Sequence, residues 1–102
     1  MLKIRPNCEC CDKDLPPASV DAMICSYECT FCNKCVEATL QNICPNCGGG
    51  FVARPIRPQT ARRDGISITH QPASMERVHT RYSNLELKEF AGKFKHIPPA
   101  KR

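Results

Sequence analysis

The sequence has no tryptophan, and its aromatic stock is two tyrosines and four phenylalanines. A large aromatic core is therefore excluded. No apolar run approaches the roughly eighteen residues that a membrane span needs. The N-terminal stretch "MLKIRPNCECC" lacks an apolar run of signal-peptide length, so we expect a cytoplasmic protein with no membrane contact. Histidine is absent before His70, and cysteine is absent after Cys47. No Ser/His/Asp set, carboxylate pair or phosphate-cradling glycine loop is present, so we expect no enzyme.

Against those absences stand nine cysteines, all between Cys8 and Cys47. The chain thus divides into a cysteine-rich head and a basic tail. A head of some fifty residues rarely folds on apolar burial alone, and cross-links usually make up the difference. Its apolar residues are few: Ile4, Leu15, Val20, Met23, Ile24, Phe31, Val36, Leu40, Ile43, Phe51 and Val52. In a reducing compartment, cysteine spacing points to metal rather than disulfides, and an odd number suits a disulfide framework poorly.

The cysteines fall into four pairs: Cys8-x2-Cys11, Cys25-x3-Cys29, Cys32-x2-Cys35 and Cys44-x2-Cys47. A tight turn between two cysteines aims both sulfurs at one ion, at about 2.3 Å each, and two such pairs close a tetrahedron. Eight thiolates fit two zinc ions. All-sulfur sites also suit iron, but eight paired ligands fill two zinc sites more naturally. A catalytic zinc keeps an open position, usually beside histidine or carboxylate ligands, and the head has no histidine. His70, His79 and His96 lie among polar tail residues and read as surface histidines. Spacing alone leaves open which pairs share an ion. Consecutive pairing puts Cys8, Cys11, Cys25 and Cys29 together, and alternating pairing joins the first pair to the third. Cys10 is the spare thiol, either a small buried residue or an alternate ligand. Reactivity at Cys10 is disfavoured, because Glu9, Asp12 and Asp14 outnumber Lys13.

The stretch "CTFCNKC", with Phe31 just ahead of Cys32-x2-Cys35, resembles the RING-finger run His-x-Phe-Cys-x-x-Cys. "CPNC" resembles the last RING pair with its proline. Cys29 stands where most RING fingers carry histidine, so this is an all-cysteine version covering residues 8–47. The resemblance implies interleaved ligation of two Zn2+ ions. Site 1 would use Cys8, Cys11, Cys32 and Cys35, and site 2 would use Cys25, Cys29, Cys44 and Cys47. It also departs from ubiquitin-transferring RING fingers. Those show an aliphatic residue within the first pair, a tryptophan before the last, and often an arginine after it. Here Cys10, Leu40 and Gly48 stand instead. The stretches "RPNCECCDKDLPP", "MICSYECTFCNKCV", "CPNCGGGFVARPIRP" and "PASMERV" bring a closer resemblance, to a small bacterial cysteine-rich domain of unknown function. That resemblance implies a bacterial protein and assigns no catalytic residue.

The expected fold is a small, metal-dominated α+β head over residues 1–52, RING-like, with one short helix and short hairpins. "AMIC" reads as a strand entering the second pair. Asn33 reads as the cap of a helix through "KCVEATLQN", with Val36, Leu40 and Ile43 on one side. Residues 53–81 read as a Pro/Arg-rich extended arm. Residues 82–97 read as an amphipathic helix opened by a Ser83–Glu86 capping box, with Leu87, Phe90, Ala91 and Phe94 on one face. Residues 98–102 read as a disordered end.

Charge is divided unevenly. Residues 1–52 carry four Lys/Arg and six Asp/Glu, and residues 53–102 carry eleven Lys/Arg and four Asp/Glu. Three functions follow from these features. The first is a structural two-zinc module that binds a protein partner, with no chemistry at the metal. The second is nucleic-acid binding through Arg54, Arg57, Arg62 and Arg63, against which stands the stronger expectation that the basic arm lies on the chain's own acidic head or is solvated. The third is RING-type ubiquitin transfer or thiol redox chemistry. The first fits the sequence best, since the arm lacks stacking aromatics and the head lacks the marks of a transfer enzyme.

Overall fold

The computed structural model describes residues 1–102. Its organising unit is a hairpin. β1 (Ala22–Ile24) pairs antiparallel with β2 (Thr30–Cys32), Met23 opposite Phe31. The five-residue turn between them carries Cys25 and Cys29, closed by Cys25 N–H to Cys29 O (3.2 Å) and Glu28 N–H to Cys25 O (3.0 Å). A third strand, β3 (Val52–Ala53), pairs with the other edge of β1, giving the antiparallel order β2-β1-β3.

β2 passes directly into a helix. One turn, α1 (Asn33–Cys35), widens into a π-helical segment over Val36–Leu40. Asn33 does not cap this helix. The cap position falls on extended Cys32, with no side-chain cap bond, and Asn33 N–H donates to Asp21 O (2.8 Å). The reason is register: Cys32 is still paired with Ala22, so the chain cannot turn before it. Gln41 and Asn42, with φ of 49° and 60°, end the segment in left-handed conformation.

The interior is partly sulfur. Its main cluster joins Leu15, Phe31, Val36, Leu40, Phe51 and Leu87 to Cys8, Cys25, Cys32, Cys35 and Cys44. Phe31 and Phe51 meet edge to face, with ring centroids 5.4 Å apart. Five cysteines in that cluster mean the core cannot be assembled without deciding what those sulfurs bind.

The arm is extended, and it is tied down along its length. Arg54 is buried, and its guanidinium donates to Arg5 O (2.8 Å), Leu15 O (3.2 Å) and Pro16 O (2.8 Å). Arg57 donates to Leu2 O (2.6 Å) and to Gln71 O. Further on, Ser74, Val78 and Thr80 donate backbone N–H groups to Ile4 O, Asn7 Oδ1 and Glu9 O. Arg77 pairs with both Asp12 (2.9 Å) and Asp14 (2.7 Å).

α2 (Asn84–Phe94) starts at a complete capping box. Ser83 Oγ accepts from Glu86 N–H (3.2 Å), and Glu86 Oε1 accepts from Ser83 N–H (3.0 Å). Leu87 and Ala91 face inward onto the π-helical segment, with Phe90 and Phe94 half-buried beside them. Residues 98–102, expected to be disordered, hold a 3-10 turn over Pro99–Lys101. Arg102 closes that turn onto the head through Ile97 O (2.9 Å) and Asn42 O (2.7 Å). No helix is long and apolar enough to cross a membrane.

Candidate metal centre

Two groups of sulfurs gather on opposite sides of the hairpin. In the first, Cys8 and Cys11 come from a tight loop closed by Cys8 N–H to Lys13 O (2.8 Å) and Asp12 N–H to Cys8 O (2.9 Å). Cys32 ends β2 and Cys35 lies in α1. All four Sγ atoms lie within 4.8 Å of one another. In the second, Cys25 from the hairpin turn meets Cys44 and Cys47, again within 4.8 Å. The grouping joins the first pair with the third, and Cys25 of the second pair with the fourth. Strand register produces this alternation: Cys25 and Cys32 sit at opposite ends of the β1–β2 hairpin.

Geometry and chemistry both fit a metal. A tetrahedral ion with bonds of about 2.3 Å to sulfur separates its ligands by about 3.8 Å. Cys11 Sγ and Cys32 Sγ are 3.8 Å apart. Backbone N–H groups also point at the sulfurs: Cys11 at Cys8 Sγ (3.5 Å), Tyr27 at Cys25 Sγ (3.3 Å) and Gly49 at Cys47 Sγ (3.4 Å). Such donors favour thiolate. The last of these turns needs Gly48, whose φ of +80° is costly for a side-chain-bearing residue.

Without a cation among them, burial and mutual repulsion keep most of these thiols protonated. Burial pushes the Cys8 thiol up to about 11, against backbone donors that favour its anion. Burial raises Cys35, and the nearby sulfurs of Cys32, Cys8 and Cys10 raise it further. Cys44 is raised mainly by burial, with Cys25 and Cys29 adding to it. Cys11 is exposed, and the upward push of its slight burial is outweighed by the Lys13 backbone donor and by neighbouring sulfurs. Four thiolates this close repel one another unless a positive ion sits among them.

A family model described as "Protein of unknown function (DUF1272)" matches residues 1–57. The chain belongs to the DUF1272 family. An uncharacterised protein of the bacterium Rhizobium meliloti (strain 1021) is 56% identical over 78 residues, 76% of this chain and 86% of that protein. That stretch is longer than the matched family region, so the similarity takes in part of the arm. No solved structure matches the chain.

Two cysteines of this DUF1272 chain stand apart from the gathered groups. Cys10 is half-buried within reach of Cys35, and burial raises its thiol. It adds a fifth sulfur beside the first group without joining the four-sulfur set. Cys29, expected as the fourth ligand of site 2, falls outside the three-sulfur span. Burial raises its thiol, with Cys25 and Glu9 adding to the rise and the Asn46 side chain opposing it.

Sequence reasoning missed Glu9 and Asn46. Glu9 is only 4% exposed, and its carboxylate accepts from Thr30 N–H (2.7 Å) and Asn46 Nδ2 (3.4 Å). A glutamate among acids reads as solvated surface. Its position between Cys8 and Cys10 was the only available signal. Of the four arm arginines, Arg54 and Arg57 are engaged with backbone carbonyls, while Arg62 and Arg63 are exposed. His79 and His96 are exposed, and so is His70, whose Nδ1 lies 2.7 Å from the buried Ser67 Oγ.

Proposed function

We propose that this protein is a structural two-zinc module of RING-like, cross-braced build that presents a surface to a protein partner. The observation that carries the reading is the interleaved gathering of thiols into two separate groups around one hairpin. The first group has four sulfurs and leaves no open position, so zinc there is a fold element rather than a Lewis acid; the second closes in the same way once Cys29 joins it. Zinc held by Cys8, Cys11, Cys32 and Cys35, and by Cys25, Cys44 and Cys47 with Cys29, supplies folding free energy of about 10–16 kcal/mol per site.

A surface for the partner is at hand beside the second site. Leu2, Ile24, Val52 and Pro55 line a shallow concavity, continued by Met1 and Ile56. Val52 is 66% exposed on edge strand β3, next to a turn that displays Tyr27 at 74%. Exposed apolar patches of this kind mark interaction sites. Commitment of Arg54 and Arg57 to internal carbonyls leaves the arm few free cations for phosphate, which favours a protein partner over nucleic acid.

The test has two arms. Reduced, freshly isolated protein should contain two zinc equivalents and unfold on chelation. Capture from the native host should retain a partner that Val52→Glu or chelator removes, with the zinc content of Val52→Glu unchanged. Fewer than two equivalents in a folded protein would overturn the reading.

A further inference from the structure

The arm crosses the head in the manner of a bound peptide. From Ser74 to Thr80 it has no helix or strand of its own. Its backbone is held at three points. Ser74 N–H donates to Ile4 O (2.8 Å), and Thr80 N–H donates to Glu9 O (2.7 Å). Between them, the fully buried Asn7 side chain holds both backbone groups of one residue. Its Nδ2 donates to Val78 O (2.8 Å), and its Oδ1 accepts from Val78 N–H (3.3 Å). Main-chain bonds of this kind give affinity with little regard to sequence, and side-chain sites add selectivity.

Selectivity here comes from Arg77. Its Nη2 donates to Asp12 O (2.6 Å) and Asp12 Oδ1 (2.9 Å), its Nε to Asp12 Oδ1 (3.2 Å), and its Nη1 to Asp14 Oδ1 (2.7 Å). Asp12 meets it from a left-handed backbone with φ of 63°, which aspartate tolerates better than most residues. Asn7 Nδ2 also donates to Asp12 Oδ1 (2.9 Å), so one buried amide steadies both the backbone contact and the arginine contact. A planar guanidinium fits this fork and an ammonium does not. Lys3 adds a surface pair to Glu76 (3.3 Å). Groove and filler are separable parts of the chain. Residues 4–14 lie inside the stretch matched by the family model, and residues 74–80 lie outside it. The clamp is also open to water, with the Arg77 side chain 44% exposed and that of Asp14 79%. Ion pairs so exposed hold weakly. Arg77 is the ion-pair partner of both acids, so its departure leaves two neighbouring carboxylates uncompensated.

We propose that Ile4–Asp14 form a docking groove for an extended, arginine-bearing peptide of a partner protein, and that Ser74–Thr80 fills it as a tethered stand-in. The proposal goes beyond the zinc reading. It names a second surface, built on Asn7, Asp12 and Asp14 rather than on the apolar residues around Val52. A tethered segment acts at a high effective concentration, so a free peptide competes poorly until the tether is loosened.

The probe is a labelled peptide of residues 73–81, ASMERVHTR, read by fluorescence anisotropy on the full-length reduced protein. Arg77→Ala with Val78→Pro removes the clamp and the Val78 N–H, and should raise peptide affinity at least about tenfold over the unaltered chain. The same peptide with lysine in place of its arginine should bind the loosened chain at least about tenfold more weakly. Asp12→Asn, added to the loosened chain, suits the same backbone and should abolish the gain. If the loosened chain fails to fold, amide hydrogen exchange in the unaltered protein decides. Ser74, Val78 and Thr80 should exchange faster than the bonded amides of the β1–β2 hairpin, and faster still with excess peptide. No peptide uptake by the folded loosened chain, equal uptake of the lysine peptide, or exchange at those three amides as slow as in the hairpin would overturn the proposal. Dimer formation by the loosened chain without peptide uptake would also overturn it and assign the groove to a second copy. Each of these outcomes leaves the two-zinc reading standing, since none of them bears on metal content.

Discussion

Single residues carry opposite burdens here depending on what faces them. Cys32 sits in the four-sulfur group and in the core, so Cys32→Ser should unfold the head and release metal, read by circular dichroism and elemental analysis. Cys10→Ser should do neither, since Cys10 stands beside that group and outside its four-sulfur span. Loss of a zinc from Cys10→Ser would show that Cys10 is a ligand. Arg54 shows the limit of reading charge from sequence. In a Pro/Arg-rich stretch it looks like a phosphate contact, yet it is 4% exposed and joins three carbonyls from two segments of the head. Lysine is a point charge and cannot span that fork. Arg54→Lys should cost about 1–3 kcal/mol in chemical denaturation. The cysteine pairs were legible because a two- or three-residue turn is a local fact. Glu9 and Arg54 were not, because their partners lie far along the chain.

At the level of elements, α2 was readable from its own residues. A serine three places before a glutamate makes its cap locally, and the spacing of Leu87 and Ala91 sets its inner face. Ser83→Ala should cost about 0.5–2 kcal/mol, seen as faster amide exchange in the first turn of α2. Gly92 is exposed on the same helix, and a methyl added there would meet nothing within 4 Å. Gly92→Ala should therefore stabilise by about 1 kcal/mol in thermal or denaturant unfolding. The helix after β2 was less legible. Asn33 has the chemistry of a cap, but pairing of Cys32 with Ala22 carries the strand one step too far for it to act as one. The turn over Pro99–Lys101 was also hidden, since its order comes from Arg102 reaching carbonyls near Asn42.

Across the whole molecule, the arm and α2 belt the head rather than trailing from it. Leu87 lies in the same buried cluster as Phe31 and the ligand cysteines. Leu87→Ala should lower stability by about 2–5 kcal/mol and should also speed metal release, because one core serves both. Acid should release metal, since every ligand must be thiolate to bind and protons compete for it. Metal content and helicity should therefore fall together as pH drops. A fold that persists after the metal has left would contradict a metal-centred interior.

The sequence by itself determined four cysteine pairs spaced as metal ligands are, because such pairs are made by short turns, and it determined a head poor in apolar residues. It determined the capped helix near the C-terminus for the same reason of locality. Which pairs meet was left open by spacing and decided by the hairpin, whose two ends hold Cys25 and Cys32 apart. Only the tertiary structure placed Glu9 between the two sulfur groups and turned Arg54 and Arg57 of the arm inward. Those positions depend on hydrogen-bond partners from distant segments, and no local pattern encodes where such partners will lie.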